Sequence, residues 1–181
     1  MPMKFTLIRH TSPDVAKGTF YGQTDVSLKD SFEKEAESVK LNLDGKEFDS
    51  VFTSPLTRCR KLAAFCGYPD AEPSPLIMEM NFGAWEMKRF DEIPSDILEK
   101  YYSNWRTANT PEGESFTQHG QRVREFINLC ISRNFKSVLA FTHGGSILHA
   151  MILAAIIDDS RPFDHIPSFG SITELEFNSM I

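Results

Sequence analysis

The run Lys4-Phe5-Thr6-Leu7-Ile8 is apolar and rich in strand formers, and it stops at Arg9-His10 before a stretch holding Pro13, Gly18 and Gly22. This pattern predicts a first strand and then a long loop. From Lys29 to Leu43, the positions Phe32, Ala36, Val39 and Leu43 recur at helical spacing among Glu and Lys, the stripe of an amphipathic helix that Asp44-Gly45 ends. Asp49 to Thr53 reads as the next strand. Ser54-Pro55 then offers an N-cap and a proline at the first helical position, predicting a helix to about Cys66 with Gly67 as its stop. Pro69, Pro73 and Pro75 leave room for at most a short strand at Leu76 to Met78, and helix returns from about Ser95 to Arg106.

Ser115 and Gln118 form a capping box ahead of Val123, Phe126, Ile127 and Cys130, predicting a helix to about Arg133. Lys136 to Thr142 is a buried strand. His143-Gly144-Gly145 leads from it into an apolar helix from Ser146 to Ile157, and Ser171 to Phe177 alternates like an edge strand. The alternation of strand and helix predicts a three-layer α/β/α sandwich with a mostly parallel central sheet, in a single domain over residues 1–181.

Composition agrees with one soluble globular domain: 41% of residues are apolar, 24% are charged, and no repeat or biased tract suggests disorder. The net charge of −6 argues against nucleic acid and anionic membrane as partners, so any attraction for an anionic ligand must be local. Ile147 to Ile157, interrupted by His149, is far short of the roughly 20 residues of a membrane span. The opening residues Met1-Pro2-Met3-Lys4 run straight into a strand, which leaves no room for a signal peptide and predicts a cytoplasmic location. Cys59, Cys66 and Cys130 are odd in number and lack a CxxC pair, so they read as core thiols and not as disulfides or zinc ligands.

In open α/β sheets, ligands bind beyond the carboxyl ends of the strands. Here the first strand ends in Arg9-His10, the second leads through Ser54-Pro55 to Arg58, and the Lys136 strand ends in Thr142-His143-Gly144-Gly145. Each of these alone is bland: an Arg-His pair at a strand end is usually solvated, and Gly-Gly serves a tight turn. Together they bring two histidines and two arginines to one edge. That set suits phosphoryl transfer, in which arginine forks neutralise the equatorial oxygens and an unprotonated imidazole attacks.

The blocks Leu7-Ile8-Arg9-His10, Tyr21-Gly22-Gln23-Thr24-Asp25, Ser54-Pro55-Leu56-Thr57-Arg58-Cys59, Glu79-Met80-Asn81-Phe82-Gly83-Ala84-Trp85-Glu86, Pro111-Glu112-Gly113-Glu114-Ser115 and Thr142-His143-Gly144-Gly145 run in order along nearly the whole chain. In this the sequence resembles the histidine phosphatase (phosphoglycerate mutase-like) superfamily. The resemblance implies that superfamily's fold and a phosphohistidine mechanism without metal or other cofactor. His10 is then the nucleophile, Arg9 and Arg58 hold phosphate oxygens, His143 hydrogen-bonds the moving phosphoryl group, and Glu79 is the proton donor, with Glu86 the competing carboxylate. The Tyr21–Asp25 block and the short length resemble most a branch acting on a nucleotide-like 5′-phosphate; a sugar-phosphate or phosphoglycerate-type phosphatase is the nearest rival. A non-catalytic phosphate-binding regulatory module and a metal-dependent hydrolase are remoter alternatives. The implied partner is a small phosphate ester, and the oligomeric state is open.

Departures from the pattern carry their own expectations. Thr11 follows the nucleophile where glycine is commonest, so a side chain must be accommodated there. Ala16 stands where many members carry a phosphate-touching asparagine, and Gln23 is the candidate replacement. Phe32 and Met87 replace glycines and suggest local repacking. His119, His149 and His165 lie outside the motifs and read as structural, and Trp85 and Phe82 are expected to pack under the Glu79 loop. The short segments Gly67–Gly83 and Trp85–Glu114 favour an open pocket and hydrolysis.

Overall fold

The computed structural model describes residues 2–181; Met1, the first residue of the expected domain, lies outside them. Five strands, β1 (Met3–Arg9), β2 (Ser50–Thr53), β3 (Glu72–Pro73), β4 (Ser137–Thr142) and β5 (Ile172–Phe177), form one sheet in the order β3-β2-β4-β1-β5. All neighbours run parallel except β5, which pairs antiparallel with β1 at the edge. The side-chain alternation of the strands divides the core. Phe5, Leu7, Val138 and Ala140 face a layer built from α4 (Phe116–Ser132) and α5 (Gly144–Leu153), whereas Ile8, Leu139 and Phe141 face α1 (Phe32–Leu43) and α2 (Thr57–Phe65). The result is the three-layer α/β/α sandwich, each buried Leu, Ile or Phe contributing about 1.5–3 kcal/mol.

The elements form for local reasons that the sequence shows in part. At α4, Ser115 Oγ accepts from Gln118 N–H while the Gln118 side chain accepts from Ser115 N–H, as the capping box requires. On α1, Phe32 turns inward against Phe65, with ring centroids 5.7 Å apart. At α2 the expectation fails: the helix starts at Thr57 after Leu56, with no cap from Ser54. Asp25 caps it from outside, its carboxylate accepting from Thr57 N–H at 2.9 Å and from the Thr57 hydroxyl. The short strand expected at Leu76–Met78 is also corrected, since Pro75–Ile77 is a 3₁₀ turn and the strand pairing falls on Glu72–Pro73. Pro75 begins that turn, where its fixed φ fits and its missing N–H is not needed. The helix from Ser95, α3 (Ser95–Ser103), stops before Arg106, and α5 ends at Leu153 instead of Ile157. Among the described residues, no helix is long and apolar enough to cross a membrane.

The C-terminal ends of β2, β4 and β1 are adjacent, and pairing continues one residue past them. Ser54 N–H donates to Phe141 O (2.8 Å) and His10 N–H donates to Thr142 O (3.0 Å). Three strand ends are thereby locked side by side. Over them fold the loop after β1 and the Gly83–Ser103 region, joined by a small core of Phe20, Trp85 and Ile93.

Candidate active site

His10, Arg58 and His143 are buried at this edge, and Arg9 is half-buried beside them. His10 Nδ1 lies 2.7 Å from Thr11 O. A carbonyl oxygen only accepts, so Nδ1 carries the proton and Nε2 presents a lone pair. Burial lowers the His10 pKa to about 3; the nearby Arg58 and Arg9 charges act in the same direction, against the Thr11 hydrogen bond. The rings of His10 and His143 are 5.2 Å apart. His143 Nε2 is within 2.7 Å of Ser54 Oγ, and its pKa is held well below the ordinary value by burial and then by Arg58. Ser54 therefore serves the site instead of α2, and no helical spacing marks it for that role.

Arg58, in the first turn of α2, donates from Nη1 to Thr24 O (3.0 Å) and from Nη2 to Gly22 O (2.5 Å). Arg9 donates from Nη1 to Pro167 O (2.5 Å), and its guanidinium lies 3.8 Å from the centre of the Phe169 ring. Neither arginine pairs with a carboxylate among the described residues, and both Nε atoms are buried without a partner. Buried positive charge without a counterion is costly, and an anion with several acceptor oxygens would relieve it.

Glu79 comes from the loop after Pro75–Ile77. Its Oε1 accepts from Met80 N–H (3.0 Å) and its Oε2 from Gly145 N–H (3.1 Å) at the start of α5. Gly144-Gly145 does more than turn the chain. A Cβ on Gly145 would fall 2.3 Å from Glu79 Oε1, and one on Gly144 would fall 3.0 Å from the Arg9 guanidinium carbon. The pair allows the acid and the arginine to approach the helix end.

The other carboxylate is differently employed. Glu86 accepts from the N–H groups of Gly22, Gln23, Thr24 and Phe82 and from the Thr24 hydroxyl at 2.7–3.2 Å. Burial would raise its pKa, but these bonds outweigh burial and lower it. Glu86 thus holds the Tyr21–Asp25 loop against Phe82 as an ionised acceptor. The Gln23 side-chain amide donates to Glu79 O (3.2 Å), which ties it to the loop that carries the acid. Ala16 is exposed and Thr11 is buried, its hydroxyl without a partner. At Met87 the missing glycine means strain and not repacking, for Met87 is exposed with φ +64°.

Sequence reasoning missed two further groups. His119, set aside as structural, packs with Nδ1 4.0 Å from Glu79 Oε1 and Nε2 3.1 Å from Ser146 Oγ, and burial lowers its pKa to about 3. Arg122 binds Glu114 and the carbonyl oxygens of Leu76, Met78 and Glu79, fixing the loop that carries the acid. The eight-residue step from Glu114 to Arg122, spanning the capping box, was a usable signal; His119 lay 40 positions from Glu79 with none. His149 stacks on Phe116 at 4.0 Å, behind His119.

Arg9 and Glu79 line a cavity of about 480 Å³ together with Phe20, Phe82, Tyr101 and His119. Trp85 packs in the small core with Phe20 and Ile93, and Phe82, which packs against that core, also lines the cavity. Among the described residues, no group of three or more His, Cys, Asp or Glu side chains could hold a metal ion.

Comparison with known proteins gives a consistent result. The model of the histidine phosphatase superfamily (branch 1) matches residues 5–180. The adenosylcobalamin/alpha-ribazole phosphatase of Escherichia coli (strain K12) is 28% identical over 86% of this chain and 79% of its own. The crystal structure of the alpha-ribazole phosphatase from Shigella flexneri superposes with a TM-score of 0.86 at 22% identity, covering 99% of this chain and 93% of that one. A mycobacterial glucosyl-3-phosphoglycerate phosphatase superposes with a TM-score of 0.85 at 17% identity, over 98% and 92%. At these identities the two structural likenesses show the fold.

Proposed function

Because the chain belongs to the histidine phosphatase superfamily, branch 1, and is a phosphatase acting on small phosphate esters, we propose that it moves the phosphoryl group of a nucleotide-like 5′-phosphate onto His10 and then to water. The observation that carries this reading is the pair of counterion-free guanidiniums beside an unprotonated imidazole.

In the proposed scheme the His10 Nε2 lone pair attacks phosphorus as the ester P–O bond breaks, with Arg9 and Arg58 taking the charge on the equatorial oxygens. His143, a neutral imidazole oriented by Ser54, hydrogen-bonds the phosphoryl group in flight. Glu79 delivers its proton to the departing alkoxide, which is otherwise a poor leaving group. The resulting carboxylate takes a proton from water as that water attacks phosphohistidine, so Glu79 and His10 return to their starting states. The scheme uses no metal ion. Three buried, unpaired cysteines support a reducing, cytoplasmic setting, and the net charge of −6 argues against nucleic acid or anionic membrane as partner.

For the substrate we favour alpha-ribazole 5′-phosphate, on the likeness to relatives named for that activity. The test is kcat/KM for alpha-ribazole 5′-phosphate against a panel of sugar phosphates, with His10→Ala as the blank. A preference of roughly tenfold or more for alpha-ribazole phosphate supports the assignment; an equal preference for a sugar phosphate overturns it and leaves the chemistry standing.

A further inference from the structure

Charge in the cavity lining comes from Arg9 and Glu79. Apart from Arg9 and Glu79, no Lys, Arg, Asp or Glu among the described residues lines the cavity, and Phe and Tyr are its commonest lining residues, Phe20, Phe82, Phe90, Tyr101, Tyr102 and Phe163 among them. These rings hold one another. Phe20 lies 5.2 Å from Phe82 and 4.3 Å from Phe90, and Trp85 backs both Phe20 (5.4 Å) and Tyr101 (5.0 Å), so the wall is a built surface and not a loose apolar patch.

The mouth is also apolar. Phe90, Tyr102 and Phe163 are 45%, 47% and 52% exposed, yet they come from three separate segments of the chain and converge on one opening. Large apolar groups scattered singly over a surface need no explanation; a group of them around a cavity that Arg9 and Glu79 line does. Of the cations nearest in sequence to these segments, Arg89 pairs with Asp91 and Arg161 with Asp164, and Lys88 and Lys100 are not among the residues that line the cavity. A carboxylate or second phosphate on the leaving alcohol would lose its water against aromatic faces and find no lining cation besides Arg9, which the transferred phosphate engages.

We infer that the leaving-group side of this site takes an uncharged alcohol bearing a flat apolar ring system, recognised by the Phe82–Tyr101–Tyr102 wall, and excludes alcohols that carry a further negative charge. The inference rests on the phosphatase reading above and goes beyond it: the ring, and not a sugar, is what the wall recognises, so an ester with no ribose at all is a good substrate.

The test uses esters of alkyl alcohols, so that leaving-group basicity stays close and the contrast reads recognition. kcat/KM is measured for 2-(1-naphthyl)ethyl phosphate, ethyl phosphate and 3-phosphoglycerate. The naphthylethyl ester should exceed ethyl phosphate by about tenfold or more, with 3-phosphoglycerate no better than ethyl phosphate. Phe82→Ala should shrink the naphthylethyl-to-ethyl ratio by roughly threefold or more, and Tyr102→Ala, at a half-exposed position where truncation leaves the core intact, should shrink it too. A ratio near one, or a preference for 3-phosphoglycerate, while the phosphoenzyme still forms overturns the inference and spares the phosphatase reading. No turnover of any ester together with no phosphoenzyme removes that reading and the inference with it.

Discussion

Nothing beyond burial, two nearby cations and one backbone carbonyl is needed to make His10 a nucleophile at neutral pH. With its pKa lowered to about 3 by burial, Arg58 and Arg9, the imidazole is unprotonated throughout the physiological range. The expected consequence is that kcat/KM, corrected for substrate ionisation, shows no ascending limb near the ordinary histidine pKa of about 6.5; a limb there would assign His10 a different environment. The two carboxylates should separate cleanly. Glu79→Gln is expected to lower kcat on alkyl phosphates by about 10²–10⁴, much less on an aryl phosphate whose phenolate needs no proton, and to leave Tm unchanged. Glu86→Gln, which disturbs five hydrogen bonds to an ionised acceptor, should destabilise the fold by about 1.5–3 kcal/mol, visible as a fall in the denaturant midpoint. Arg9, His10 and His143 were legible because they stand at the ends of buried apolar strands, and Arg58 because it follows such a strand by one short turn into a helix. The position of Gln23 was not, since an amide in a loop can serve either a ligand or a neighbouring carbonyl, and only the fold brings Glu79 O within its reach.

The junctions between elements hold both the site and its strain. At the start of α5, Gly145→Ala would drive a Cβ into Glu79 Oε1 at 2.3 Å. It should lower kcat by about tenfold or more through displacement of the acid, with far-ultraviolet circular dichroism unchanged. At Met87, held at φ +64° and exposed, Met87→Gly should raise stability by about 1 kcal/mol, read as a higher Tm. These junctions were the least legible parts of the chain. Ser54-Pro55 has the composition of a helix start, yet Ser54 is drawn to His143 and the cap comes from Asp25, 32 residues before Thr57. The Leu76–Met78 stretch looked like a strand because it is apolar; a 3₁₀ turn buries Ile77 as well, and Arg122 gathers the carbonyl oxygens that a sheet would have paired. The capping box of α4 and the buried β1 and β4 were legible because their signals are local and agree with the tertiary fold.

For the molecule as a whole, four buried histidines, His10, His119, His143 and His149, set the response to acid. Burial is the first cause in each case, taking three of them to about 3 and His143 well below its ordinary value. A folded-state pKa below the unfolded one means that the unfolded chain binds more protons, so stability is full above about 6.5 and is lost as pH falls from there toward 3. At pH 5.5 the combined loss is on the order of 5 kcal/mol, a large share of a typical domain's stability. Thermal unfolding at pH 7.5 and 5.5 should therefore show a marked drop in Tm at the lower pH. An unchanged Tm would mean that these rings are hydrated in the folded state.

The central claim is that His10 carries the phosphoryl group, and its most direct test is to quench turnover of a phosphate ester and look for phosphate on the protein. The account predicts an acid-labile, base-stable phosphohistidine at His10, mapped by mass spectrometry, that accumulates faster than steady-state turnover and is absent from His10→Ala. Steady turnover with no trapped phosphohistidine, or a His10→Ala protein that hydrolyses the ester at the wild-type rate, would contradict it.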